Sequence, residues 1–563
     1  MSIVAISLPL VVLAGVHAIP LPPPAPPPGR FRQPPWPVGS PDWLRLDRDL
    51  PPDHLARAID RAVDALDLTD LFLRYAGVGS LAYPPNLLLK VLLYEVQRGF
   101  HSPASWDDDL REHLPLQWLA QGCHPSRSRL YAFRNRLGNQ LQQWNAQIVT
   151  AAQQQGMTDA SRASLDGSAI AANASRHRLL NEDNLARRLG QLDQAIADRT
   201  STATAEPSAA VPTVVEPACV EPAAAEPTRT VSVVSAQTPP LSAPAEPTPG
   251  WMAQTEQGRL RQRDRYQEAR QQLAQRLEEN RERPVDKRKE DKDVRLSVGD
   301  PQAVLGQDKE KVYRPLYNVQ LMPDLDSGLI LAYDVFAQAT DVGKLEPMLE
   351  RCKETTGHYP ELVLADAGYA TALDLASCAE AEVTLYAPYQ ENSFSEQKRA
   401  QKPIKQIGKE AFVWLAEEQK YRCPQGHELD REASENKKRR GGKRVRVDTY
   451  RCPPNHCREC PQKQQCCRNP EAGRTIDRSE HEGLVEQLRE RMKSPAAKAL
   501  YKLRSQTVER CFADGKQHRG LRRFSGRGLN RACISVGLFV LAHNALALLK
   551  FHDNQQNPAL SSA

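Results

Sequence analysis

Apolar residues recur along this chain with two different periods. Between residues 52 and 156 the spacing is helical. Leu55, Ile59 and Val63 follow at steps of four, and Leu87, Val91 and Tyr94 at steps of four and three. Pro84–Pro85, Ser102–Pro103 and Pro125–Ser126 are helix start signals. After residue 160 the pattern changes. Residues 164–172 read as a strand carrying Asp166, with Asn173 ending it. Tyr317, Val319 and Leu321 alternate with Asn318 and Gln320, the pattern of a half-buried strand. Residues 328–336 predict another strand and 344–353 a helix. An apolar strand from 361 then runs into Asp366 and a glycine turn, and residues 383–388 predict a further strand. Strands interleaved with helices in this way predict an α/β fold.

Two polar-faced helical stretches, 181–200 and 251–283, flank a segment in which Glu-Pro recurs at 206, 216, 221, 226 and 246. Proline at that density forbids both helix interior and central strand. The economical picture is a helical hairpin with a disordered, semi-extended tip.

Composition sharpens this outline. At 563 residues the chain exceeds one ordinary domain. Of its 44 prolines, residues 1–52 hold 14 and residues 201–250 hold 10, which leaves an ordinary globular frequency elsewhere. The 40% hydrophobic content supplies a core and excludes a fully disordered or collagen-like chain. Residues 3–16 are apolar and lie in a stretch without Lys, Arg, Asp or Glu up to residue 29. A signal peptide lacks its basic start here, and the run is too short to span a membrane. A disordered tail, or an upstream stretch attached by a wrong start codon, is the expected reading. With no other segment approaching transmembrane length, the expected location is cytoplasmic, in contact with the nucleoid and not with a membrane.

The net charge of +6 is uninformative until it is mapped. Residues 437–451 hold 8 Lys+Arg and 1 Asp around Gly441–Gly442, which predicts a basic hairpin reaching toward DNA, a solvated loop being the other reading. Residues 498–527 hold 9 Lys+Arg and 2 Asp+Glu. A third basic run opens the helix after Pro125: Arg127, Arg129, Arg134 and Arg136 surround Leu130, Phe133 and Leu137. With the apolar residues facing a core and the arginines facing outward, this suits a helix-turn-helix recognition helix, and equally a solvated surface helix.

Six of the 12 cysteines lie within residues 423–467. Cys423-Pro-Gln-Gly-His427 has the form of a zinc knuckle, and Cys457-x2-Cys460 with Cys466 supplies further thiolates. The expected structural Zn²⁺ set is Cys423, Cys457, Cys460 and Cys466, with Cys452 or His427 as substitutes. Reduced, unliganded thiols are the alternative.

Acidic residues carry the chemistry. Asp166, a lone acid on a strand, is weak evidence by itself, whereas Asp366 stands at the carboxyl end of an apolar strand beside a turn, where open α/β sheets place chemistry. Ser494 and Pro495 form an N-cap and N1 pair for a helix expected to run from 496 to about 516. At 100° per residue, Tyr501, Glu509 and Lys516 fall within about 80° of one another, with Arg504 about 60° to the other side of Tyr501. One helix face would then present a carboxylate, two cations and a phenol, a set suited to metal and phosphate oxygens. Arg519, Arg522 and Arg523 extend the basic run.

Asp166-Gly, Ala365-Asp-Ala-Gly-Tyr369 and Tyr501-x2-Arg504-x4-Glu509-x6-Lys516 together resemble bacterial insertion-sequence DDE transposases with a Tyr-Arg-Glu-Lys signature, in the eleven-eighty-two branch of the IS-four-like superfamily. The resemblance spans about residues 51–550. The family signature has three residues between Arg and Glu where this chain has four, a departure that bears on Arg504 and not on Glu509.

The resemblance implies a ribonuclease-H-like core in which Asp166, Asp366 and Glu509 hold two Mg²⁺ (or Mn²⁺) ions. It implies cleavage of double-stranded DNA at the ends of a mobile element and transfer of the 3′-OH ends to a target, by a homo-oligomer that pairs the ends. In the family Tyr501 and Lys516 would contact the transferred DNA near the cleaved phosphate, and the basic runs add Arg504, Arg519, Arg522 and Arg523 and the arginines after Pro125 as candidate DNA contacts. The competing reading is a non-catalytic, zinc-stabilised DNA-binding protein from a decayed element. The expected organisation is a Pro-rich extension over 1–50 and a helical DNA-binding domain over 51–156. The first part of the core follows over 157–388, with the hairpin and insert at about 181–285. A Cys-rich basic insertion over 389–493, the final catalytic helix and C-terminal helices over 494–550 and a tail over 551–563 complete it.

Overall fold

The computed structural model describes residues 30–75, 80–203, 248–283, 285–388, 407–438, 443–467 and 469–556. The apolar stretch at 3–16, nearly all of the Glu-Pro segment and the Gly441–Gly442 tip lie outside them. The chain divides into two compact units: His177–Pro301, and the residues before and after it.

In the larger unit, helices α1 (Leu55–Asp64), α2 (Pro85–Gln97), α3 (Pro103–Glu112), α4 (Arg127–Asn135) and α5 (Gln140–Gln154) precede the sheet. The predicted starts appear: Pro85 and Pro103 each stand at a first helical turn, and Ser102 Oγ accepts the Ala104 N–H at 3.4 Å.

The sheet is built from β1 (Arg162–Ala171), β2 (Val304–Gln307), β3 (Tyr313–Pro323), β4 (Ile330–Phe336), β5 (Leu362–Ala365) and β6 (Thr384–Tyr386). β3 runs antiparallel to β1 and, on its outer edge, to both β2 and β4. On the other side of β1, β5 and then β6 add in parallel. Helix α6 (Leu345–Thr356) makes the crossover from β4 to β5, and α7 (Ala372–Glu380) the one from β5 to β6.

Both faces of this mixed sheet are covered. Ile170, Tyr317, Val319 and Leu321 pack with α1, α2, α5 and the C-terminal helix. Ala163, Leu165, Met322 and Val363 pack on the opposite face with Leu345, Met348 and Leu349 of α6. β3 is therefore not half-buried as its alternation predicts: Asn318 and Gln320 are enclosed along with their apolar neighbours.

Within residues 407–493 a second, five-stranded antiparallel sheet has the order β11-β10-β9-β8-β7: β7 (Val413–Leu415), β8 (Lys420–Arg422), β9 (Glu428–Lys438), β10 (Arg444–Arg451) and β11 (Thr475–Ser479). β9 and β10 form the basic hairpin. Phe412, Tyr421, Leu429, Tyr450 and Ile476 make its small core, which Cys452 and Cys457 join.

The chain then forms α8 (Glu482–Lys493), α9 (Pro495–Tyr501), α10 (Leu503–Gln506), α11 (Val508–Gln517) and α12 (Leu529–Gln556). α12 corrects one expectation, because it is long and apolar enough to cross a membrane. Two thirds of its most apolar window (67%) is nevertheless buried inside the protein, as in a core helix. Its one fully enclosed amide, Asn544, donates to Ile330 O (2.9 Å) and Asn145 Oδ1 (2.7 Å) and accepts the Ile330 N–H (2.8 Å), so that no polar atom of that side chain is stranded.

In the smaller unit, helices Glu182–Ala203 and Glu256–Arg281 pack through Leu185, Leu189, Leu192, Tyr266, Ala269, Leu273 and Leu277. Leu179–Leu180 pairs antiparallel with Leu296–Ser297 at the base.

Candidate active site

Asp166 and Asp366 are brought together by strand register. Leu165 of β1 is paired with Ala365 of β5 in parallel, so the next residue on each strand is an aspartate at the same level. Asp366 caps the turn that follows β5, its Oδ1 accepting the Gly368 N–H at 2.7 Å. Burial raises the Asp166 carboxyl above the usual range, and neighbouring Asp366 adds to the effect. Arg504 and the Gly167 N–H pull the other way.

The segment that faces them departs from expectation. Ser494 caps α9 through a 3.1 Å bond from the Ala497 N–H, as predicted. The helix expected to continue to 516 is instead broken after Tyr501 and again at Thr507, whose backbone sits at φ −109° and ψ −87°. The Thr507 hydroxyl lies 3.1 Å from Leu503 O, 3.2 Å from Arg504 O and 2.8 Å from Ser164 Oγ. A threonine that engages local carbonyls competes with the helix ladder. Tyr501, Arg504, Glu509 and Lys516 thus do not share one helix face.

They converge for a different reason. Ser164, Asp166 and Ser168 point to one face of β1 at i, i+2 and i+4. Ser164 meets Thr507. Asp166 Oδ1 meets Arg504 Nη2 at 2.9 Å, and Ser168 Oγ accepts a bond from Lys516 Nζ. Arg504 also reaches Glu509 Oε1 through Nη1 at 2.9 Å. The first and third acids are therefore bridged by the guanidinium of Arg504, a residue that is 9% exposed. Tyr501 is half-buried beside them, and its hydroxyl is raised by burial, with Asp366, Asp166 and Glu509 adding to the rise against Arg504.

The opposite face of β1 holds a network that the sequence pattern did not reveal. Asn318 Nδ2 and Gln320 Nε2 both donate to Asp341 Oδ1 at 2.8 Å, and the buried Tyr369 hydroxyl donates to Gln320 Oε1. A side chain at Gly167 would run into Asp341 and Gln320, which explains the glycine after Asp166. The polar positions of β3 were a signal for this network, and the lone Asp341 was not.

The arginine helix is mixed. Arg127, Arg129 and Arg136 are exposed, but Arg134 is buried, which corrects its predicted outward position. It lies four residues after core Leu130, about 40° away on the wheel. Its guanidinium donates to His101 O and Asn135 Oδ1, and burial lowers its pKa to about 10. Arg519 is also engaged internally, by Asp514 Oδ2 at 3.2 Å and by Gln97 O. Arg522 and Arg523 are exposed.

Among the cysteines, Cys423-Pro-Gln-Gly-His427 forms the expected tight turn, with the Cys423 N–H on His427 O and the Gly426 N–H on Cys423 O, both at 2.8 Å. Cys452 is buried, and its thiol is pushed well above the usual range by burial and by nearby Cys457, Cys423 and Cys466. Cys460, expected in the zinc set, lies near Cys466, and His427 stacks on His456 at 4.2 Å.

Among the described residues no three His, Cys, Asp or Glu side chains form a group arranged to hold a metal ion. At the carboxylates the donor chemistry still suits a hard cation, and the Arg504 charge already stands between Asp166 and Glu509.

Residues 422–549 match the family model of the transposase DDE domain, and residues 44–136 match a model described as a transposase domain (DUF772). No curated protein matches the chain. The first match takes in Glu509 and the basic run around it, the second the arginine helix. Neither reaches Asp166 or Asp366. Together they support an insertion-sequence transposase, an enzyme that processes nucleic acid.

Proposed function

We propose that the chain is a DNA transposase of the DDE type, in which Asp166, Asp366 and Glu509 are the carboxylates that surround the scissile phosphodiester. The observation that carries this reading is the convergence just described: two aspartates level with one another on adjacent parallel strands, and Arg504 tying the first of them to Glu509. The strand order β4-β3-β1-β5-β6, with three antiparallel strands followed by two parallel ones, supports a ribonuclease-H-like core.

Asp166, Asp366 and Glu509 would hold two Mg²⁺ or Mn²⁺ ions. Such ions, when bound, generate the attacking hydroxide or alkoxide and stabilise the leaving oxygen. The protein's own part is positioning and charge. Ser164 and Thr507 fix α11 against β1, and Lys516 stands two strand positions beyond Asp166, where it neutralises a phosphate of the strand being cut. Tyr501 lines the same cleft and orients that strand. Arg127, Arg129 and Arg136 are the exposed cations of the arginine helix that would take phosphates of the element's terminal repeats, two of which a homo-oligomer would pair.

The expected outcome is Mg²⁺-dependent cleavage of duplexes carrying the element's own ends. Asp166→Asn, Asp366→Asn and Glu509→Gln should each cut about 10³-fold more slowly or worse. Parent-like cutting by any of them overturns that residue's assignment. DNA binding by the parent without metal-dependent cleavage overturns the catalytic reading.

The cysteine-rich sheet is proposed to carry one structural Zn²⁺ on Cys423, Cys452, Cys457 and Cys466. Cys452 takes the place expected for Cys460 because it packs in one cluster with the other three. Metal analysis of purified protein should find about one zinc per chain, lost in Cys452→Ser and kept in Cys460→Ser. The reverse result restores Cys460 to the set.

A further inference from the structure

The turn between α2 and α3, residues 98–102, packs against residues 518–525, the segment that leaves α11. The approach is close. Gly99 and Gly520 both hold a left-handed backbone, at φ +86° and +69°. A side chain on Gly520 would run into Gly99 O, and one on Gly99 would press on His518 O. Glycine at both places lets the two backbones meet. Arg519 Nη1 adds a bond to Gln97 O at 2.5 Å, at the end of α2.

His101 is the side chain at the centre of this contact. Its Nε2–H donates to Arg519 O at 2.5 Å, the tautomer that a carbonyl partner requires, across 418 positions of sequence. Its own carbonyl accepts Ser525 Oγ at 2.8 Å and Arg134 Nη1 at 3.3 Å. Burial holds the imidazole below its usual range, against the Arg519 carbonyl and with help from Arg134.

Each partner leads to a different part of the site. Arg134 belongs to α4, whose Arg127 and Arg129 are exposed. Residues 522–525 close on the end of β1, where the Phe524 N–H donates to Ala171 O at 2.9 Å and Asn173 Nδ2 to Ser525 O at 2.6 Å. Arg522 Nε donates to Lys516 O at 3.0 Å, in the last turn of α11. The arginine helix is thus tied through one residue to the strand that carries Asp166 and to the helix that carries Glu509. An apolar side chain would fill this space as well. Three polar bonds from one residue fix direction and distance, which packing alone does not.

We infer that His101 is a positioning residue that fixes the span between the arginine helix and the carboxylates, and so fixes which phosphodiester is cut relative to the DNA sequence held on α4. The inference rests on the transposase reading and adds to it what sets the place of the cut. His101 acts through Arg134, Arg519 and Ser525, and takes no part in bond breaking. A tight joint presents one phosphate to Asp166, Asp366 and Glu509. A loosened joint presents several, each less well aligned.

The test uses the full-length chain, Mg²⁺ and a duplex carrying the element's own end, with cut positions mapped to the nucleotide. Binding of the same duplex is measured in EDTA, and the thermal midpoint of each variant is recorded. His101→Leu should bind as the parent does, cut about 10-fold more slowly and spread its cuts over neighbouring positions. His101→Gln keeps an N–H at similar reach and should restore both rate and position. Ser525→Ala removes one of the three bonds, so it should spread the cuts to a smaller degree, and it decides the matter if His101→Leu does not fold. A merely structural role lowers the midpoint and the rate without moving the cut. Cuts that stay at the parent's position, however slow, therefore overturn the inference and leave the transposase reading standing. A parent that binds the duplex and does not cut it overturns the transposase reading and this inference with it.

Discussion

The hairpin of residues 437–451 and the segment of residues 498–527 carry the same local excess of positive charge, yet the fold uses them in opposite ways. Hairpin cations stay in water and find acids there: Lys437 with Asp477 (3.2 Å), Lys443 with Glu346 (2.6 Å) and Arg451 with Glu432 (2.7 Å). Each is at least a third exposed, where an ion pair contributes about 0–1 kcal/mol. In the second segment Arg504 is buried between two carboxylates, Lys516 is half-buried on a serine, and Arg522 donates to the Lys516 carbonyl. A count of charges along the chain cannot separate these cases. What separates them is whether the fold removes water from between the charges.

The comparison can be broken by mutation. Arg504→Ala leaves Asp166 buried without its cation, so we expect a loss of about 3–5 kcal/mol and a marked fall in thermal midpoint. Arg504→Lys keeps the charge but not the two-armed geometry, and should recover only part of the loss. Next in size is Thr507→Val, which keeps shape but removes the hydroxyl shared by Ser164 and two carbonyls. It should cost about 1–2 kcal/mol and slow cleavage by displacing α11. Smallest are Lys437→Ala and Lys443→Ala, expected within about 0.5 kcal/mol of the parent but with weaker and less steeply salt-dependent DNA binding. Chemical denaturation reads all of these, and hairpin variants as damaging as Arg504→Ala would erase the distinction drawn here.

How much of this was legible in the sequence follows from the range of the interactions involved. Strand positions were readable because apolar alternation is local, and so were the two aspartates, each set at a strand with a glycine one or two residues on. The helix starts at Pro85, Pro103 and Ser494 were readable from capping chemistry alone. The break at Thr507 was not, because residues 496–516 have ordinary helical character and what interrupts them includes a hydroxyl on β1. Asn318 and Gln320 looked solvent-facing because nothing in β3 announces that a loop bearing Asp341 will cover them. Arg134 looked like its neighbours because the wheel position that buries it depends on which residues of α4 meet the core. In each case the missing information lay in a distant part of the chain.

The contact between Ser164 and Thr507 joins residues 343 positions apart, and this sets a timetable. During synthesis at roughly 5–20 residues per second, β1 is made some tens of seconds before the helix that completes the site. Until α11 emerges and docks, a nascent chain can have its two aspartates folded but not Glu509, Arg504 or Lys516. On the transposase reading proposed above, the segment from α9 to α11 therefore acts as an arming step, and a chain cut short before it would leave the ribosome without the third carboxylate.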